Sequence, residues 1–121
     1  MNESILLKIP KKVIELEQDK LTLYRLGEFK HDGMFELVEL SKDKPYPQHV
    51  HKNSVAKLYI ILGEGTIKLG NKEIKYKPGM RFVVGKGVPH GFTIKTETLM
   101  LSIQNPPIIN TKTDEVDFEY V

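Results

Sequence analysis

The chain has 121 residues, enough for one modest hydrophobic core and too few for two. Its apolar fraction of 40% and charged fraction of 28% are ordinary for a soluble globular protein, and 18 basic against 16 acidic residues leave a net charge of +2 with scattered lysines, which argues against a nucleic-acid groove. The absence of cysteine excludes disulfides, thiolate metal sites and cysteine nucleophiles, and agrees with a reducing cytoplasm.

The opening "MNESILLKIPKK" has an apolar stretch broken by Lys8 and Pro10. A secretory signal needs a longer one, and no run reaches membrane-spanning length. The expectation is a soluble, cytoplasmic protein without a membrane partner. "KKVIELEQDK" places Val13, Ile14 and Leu16 as apolar positions that fit a strand better than a single helical turn. His31, beside Asp32 and Gly33, reads as a solvated turn residue.

Seven short segments then read as strands. They are Phe35 to Leu40, Val55 to Leu62, Thr66 to Gly70, Glu73 to Tyr76, Arg81 to Val84, His90 to Ile94 and Thr98 to Ile103. Each is rich in β-branched or aromatic residues and bounded by turn residues such as Gly63-Glu64-Gly65, Pro78-Gly79 and Asn105-Pro106-Pro107. This rhythm predicts an all-β sandwich or barrel. The tail "TDEVDFEYV" alternates Val116, Phe118 and Tyr120 with acidic residues expected to face water, as an edge strand or a partner-contacting arm.

Three of the four histidines carry the chemical signal. His49 and His51 stand one residue apart, and in a strand such residues project to one side. Two ring nitrogens aimed at one point suit a metal. The third candidate is His90, behind Pro89, with Phe92 and Ile94 on its strand face. Taken alone, the pair is weak evidence for a metal, and a polar strand start with His90 as a turn residue is the plainer reading.

The surroundings of these histidines resemble the cupin superfamily. The family's first motif is His-x-His, four residues, Glu, six residues, Gly; here His49 and His51 are followed at that spacing by Ala56 and Gly63. The second is Gly, five residues, Pro-x-Gly, two residues, His, three residues, Asn; here Gly79, Gly85, Gly87, His90 and Ile94 occupy those places. The similarity covers about residues 33–105. It implies a single all-β domain built as a cupin double-stranded β-helix, or jelly-roll barrel. Residues 1–32 would form N-terminal strands or an arm, 33–105 the barrel and 106–121 a tail.

Three departures stand out: Ala56 for Glu, Gly85 for Pro and Ile94 for Asn. The first removes the anionic ligand and leaves His49, His51 and His90 as a neutral donor set. Imidazole suits Fe, Zn, Ni and Cu better than Mg or Ca. The implied cofactor is one divalent transition metal, Fe2+ favoured, with Zn2+, Ni2+, Mn2+ or Cu2+ as alternatives. With no carboxylate the ion's charge is uncompensated, which favours an anionic or enolate-forming substrate.

By the family pattern, Ala56, Leu58, Ile60 and Leu62 look inward, joined by Phe92, Ile94, Met100, Ser102 and Gln104, around a mouth open to solvent. Gln104 would serve substrate or act as a distant fourth ligand. No arginine maps into the pocket, and no general acid or base is evident. The pattern resembles dioxygenases for diketones and thiols, an oxidoreductase reading. The alternatives are a sugar or uronate isomerase or lyase, and a binding or sensory protein without catalysis. The partners expected are a small-molecule ligand and a second copy in a homodimer joined through strands at the termini.

Overall fold

Period-two alternation dominates the chain, and the computed structural model, described for residues 9, 11–15, 20–29, 33–42 and 44–121, contains strands as its only regular elements. They are β1 (Lys11–Glu15), β2 (Lys20–Phe29), β3 (Gly33–Leu40), β4 (Tyr46–Val50), β5 (Val55–Leu62), β6 (Gly65–Leu69), β7 (Lys72–Tyr76), β8 (Arg81–Val84), β9 (His90–Ile94), β10 (Thr98–Asn105) and β11 (Glu119–Tyr120). His31 and Leu16 lie outside the described residues. No helix among the described residues is long and apolar enough to cross a membrane.

Two antiparallel sheets face each other. One has the order β1-β2-β3-β10-β5-β8, the other β11-β4-β9-β6-β7. This is the all-β, two-sheet architecture that the strand rhythm predicts. The inner faces meet in a core that includes Leu58, Ile60, Ile67, Tyr76, Val84, Phe92 and Met100. Complete burial of such side chains stabilises the sandwich by ~1.5–3 kcal/mol each.

β5, β8 and β9 have the expected bounds, and β3 and β10 run longer. β2 is an addition. Its alternation is broken at Gly27, where the pairing with β3 shifts register between Arg25 and Gly27, so its pattern is weak in sequence. A second irregularity corrects the inward set of β5. The pairing of β10 with β5 shifts between Leu99 and Met100, so Ala56, Leu58 and Ile60 point inward while Leu62 is 42% exposed.

Two glycines permit close backbone approaches, the first of them at the site. A Cβ on Gly91 would come within 2.9 Å of the Tyr46 carbonyl and the Gln48 amide, so only glycine lets β9 lie this close to β4. Gly63 has a φ of +99° and would meet Thr98 backbone.

The C-terminal tail is built into the fold. β11 pairs with β4, placing Tyr120 opposite His49. The tail is thus an edge strand, but its acidic residues are not all solvated. The Asp117 carboxylate accepts from the amides of Lys52 (2.8 Å), Asn53 (2.8 Å) and Ser54 (3.0 Å), which closes the turn after His51.

Candidate metal centre

β4, the residue after it, and β9 bring the three histidines together. His49 and His90 are directly opposed in the β4–β9 pairing, and His51 follows β4 by one residue beyond Val50. The ring centroids are 4.1 Å apart for His49 and His90, 4.9 Å for His51 and His90, and 5.1 Å for His49 and His51. One ligand nitrogen from each lies within 4.8 Å of the others. An ion with bonds of ~2.0–2.1 Å spans up to about 4.2 Å between two ligands, so modest side-chain rotation closes the set.

The tautomers are fixed by backbone carbonyls. Nδ1 of His49 meets the Pro47 oxygen at 2.8 Å, Nδ1 of His51 the Asp117 oxygen at 2.6 Å, and Nδ1 of His90 the Val88 oxygen at 3.0 Å. A carbonyl can only accept, so each Nδ1 carries the proton and each Nε2 presents a lone pair. The Nε2 of His49 is buried and has no hydrogen-bond partner. A buried polar atom left bare in this way calls for an occupant, and a metal ion fits.

The electrostatics agree. Burial, reinforced by the neighbouring His90 imidazole, pulls His49 down to about 2 against the pull of the Pro47 carbonyl. Burial and His51 bring His90 down to about 4, and burial lowers His51. All three are therefore neutral donors near neutrality.

The three histidines sit back from the surface. His49, His51 and His90 are all buried, with Tyr46 and Phe118 each stacked on His49 at 4.3 Å. The tail contributes to this burial: its Phe118 stacks on His49 and lines the site, and its Asp117 carbonyl orients His51.

The histidines line a cavity of about 50 Å3 between the sheets. Ala56, Leu58, Phe92, Met100, Ser102 and Gln104 line it as well, whereas Ile60 and Ile94 are buried in the core outside it. Gln104 is committed within the protein. Its Oε1 accepts the Ile108 amide at 2.8 Å, and its Nε2 donates to Glu36 at 2.6 Å and to Ser102 at 3.0 Å. These contacts hold the side chain against Glu36 and the Ile108 amide.

Glu36 overturns the expectation of a site without an acid or base. It is 1% exposed, on the inner face of β3, and lines the cavity. Arg25, far in sequence but paired with Glu36 across β2 and β3, places Nε 2.9 Å from Glu36 Oε2 and donates from Nη2 to the Ile109 carbonyl at 2.9 Å. The Nε–Oε2 contact is an ion pair off hydrogen-bond alignment, and a carboxylate oxygen has two lone pairs, so Oε2 can accept a further hydrogen bond. The signal was the inward series Met34, Glu36, Val38 and Leu40, in which one charged residue stands among apolar ones. Phe35, Leu37 and Glu39 form a near-equivalent series, which concealed it.

The model of the family described as "Cupin domain" matches residues 36–103. No curated protein matches the chain in sequence. Among solved structures, KdgF from Halomonas sp. superposes with a TM-score of 0.68 at 18% identity, covering 79% of this chain and 88% of its own. A predicted oxalate decarboxylase from Thermotoga maritima has a TM-score of 0.68 at 20% identity, with 81% and 93% covered. Ectoine synthase from P. lautus has a TM-score of 0.66 at 20% identity, with 78% and 69% covered. These likenesses concern the fold, which carries three differently named proteins.

Proposed function

The chain belongs to the cupin superfamily, and on that premise we propose that it is a mononuclear metalloenzyme acting on a small oxygenated organic molecule, with Fe2+ as the favoured ion and dioxygenase-type chemistry. The observation that supports this reading is the set of three histidines lining one cavity, each with Nδ1 held by a carbonyl so that Nε2 keeps its lone pair. His49, His51 and His90 would hold the ion, which would supply Lewis acidity and a site for oxygen-donor ligands. Three protein ligands leave positions open, as catalysis requires.

The chain's own residues do the rest. The carbonyls of Pro47, Val88 and Asp117 hold the imidazoles in the ligating tautomer. Phe118, Tyr46 and the apolar cavity wall exclude water, which strengthens every charge interaction inside. Glu36 supports a second reading, isomerase or lyase chemistry, because a buried carboxylate beside a metal site can accept a proton from substrate.

The test is elemental analysis of untagged protein, followed by oxygen uptake with Fe2+-loaded protein and small vicinally oxygenated compounds. Stoichiometric metal that disappears in H49A and H90A, with oxygen consumed, is the expected result. Turnover without oxygen uptake selects the isomerase or lyase reading, and metal without turnover a sensory one. Protein without metal, whose ligand binding is unchanged in H51A, overturns the proposal.

The same reading places the protein in the cytoplasm as a homodimer joined through terminal strands. Its support is that β1 and β11 each form the edge of a sheet. Light scattering on the purified chain checks the oligomer.

A further inference from the structure

The cavity has two unlike walls. The five-stranded sheet contributes the imidazoles. The six-stranded sheet contributes a polar row, Glu36 on β3 with Ser102 and Gln104 on β10, where Ser102 is the cross-strand partner of Glu36. The Ile108 amide orients Gln104 so that its Nε2 donates to Glu36 Oε1, which holds the Glu36 carboxylate in place. Arg25 offsets the charge of Glu36 without occupying the hydrogen-bonding capacity of Oε2. That oxygen is a buried acceptor, ion-paired with Arg25 and without an aligned hydrogen bond. Burying an acceptor bare is costly, and the loss is recovered when a ligand donates to it.

We propose that Glu36 is the specificity-determining residue of this site, and that the cavity takes a two- or three-carbon molecule bearing a hydroxyl next to a carbonyl or carboxylate. The inference rests on the metal-site reading above and names its substrate class. The carbonyl or carboxylate oxygen faces the imidazole-held ion, and the hydroxyl donates to Glu36 Oε2. Size follows from the volume: at ~10–15 Å3 for each water-sized position, a cavity of about 50 Å3 accommodates about three to five such positions. Larger substrates would require the tail bearing Phe118 to move. Polarity follows from the acceptor: a ligand with only an apolar group at that end would leave the remaining lone pair of Oε2 without a hydrogen bond, and so would be disfavoured.

The experiment uses the full chain with its metal, and calorimetric titration with two probe pairs: glycolate against acetate, and hydroxyacetone against acetone. In the wild type the hydroxylated member of each pair binds about ten- to hundredfold more tightly, the range for a hydrogen bond to a charged group. A hydroxyl could also gain affinity by chelating the ion, and E36Q separates the two causes. E36Q keeps its metal and its acetate affinity while the hydroxyl preference falls about tenfold or more. Should E36Q not fold, E36D draws the carboxylate back by one methylene while preserving its charge against Arg25, and the same preference drops. The proposal is overturned if wild type binds none of the probes, if the pairs bind equally, or if the preference survives in the folded variant. Metal content, measured on each sample, reports separately on the parent reading: wild type without metal defeats that reading, whereas metal-replete protein without hydroxyl preference defeats this one alone.

Discussion

His49 Nε2 is a buried lone pair with no donor to satisfy it, and His51 and His90 are oriented in the same way. Replacing one imidazole with Ala removes a ligand outright. H90A should weaken metal binding by at least ~100-fold, the upper end of what losing even an outer-shell partner costs. Competition titration with a chromogenic chelator measures it. Ala56 sets a second test. It faces the cavity at the position where the family pattern carries Glu, so A56E should add an anionic ligand, tighten metal binding and weaken glycolate binding. The same titrations report both, and an A56E protein with unaltered affinities would show that this position does not reach the ion. Away from the site, Tyr24 donates a hydrogen bond to Glu39, which together with burial raises its pKa to about 12 from 10.0. The folded-state value lies above the unfolded one. The stability this bond contributes is therefore intact below pH 10 and is lost as pH rises through about 12. Denaturant midpoints across that window should fall more steeply for wild type than for Y24F.

At the scale of elements, the tail decides how the centre is held. One residue, Asp117, orients His51 through its carbonyl and closes the turn over residues 52–54 through its carboxylate. D117A removes three acceptor contacts from a partly exposed group, so we expect a loss of about 1–3 kcal/mol in urea unfolding. The released tail should also weaken metal binding about tenfold through His51. Stability lost with metal affinity unchanged would mean that the tail protects the fold without orienting the ligand. β4 shows the limit of pattern reading at this scale. The period of two placed His49 and His51 on one side, yet β4 ends at Val50 and the close packing of His90 depends on Gly91, whose role is to lack a side chain. A β-bulge such as the one that turns Leu62 outward leaves no mark in local composition, because it arises from the partner strand's register.

For the whole molecule, a metal held between β4 and β9 binds the folded chain and not the unfolded one, so it stabilises by linkage. At a free metal concentration of 100 times Kd this amounts to about 2.7 kcal/mol. Stripping with a chelator should lower the thermal midpoint by several degrees, and stoichiometric Fe2+ or Zn2+ should restore it. A midpoint indifferent to both would place the ion elsewhere or nowhere.

The amino-acid order alone specified the alternating strands, the turns between them and the identity of three imidazoles, because those depend on period, local dihedral preference and spacing along the chain. It could not specify Arg25 against Glu36, Gln104 between Glu36 and Ile108, or Phe118 and the Asp117 carbonyl over the histidines. Such contacts join residues brought together by sheet order and register, and those are set by the packing of two whole sheets, which no local window of sequence contains.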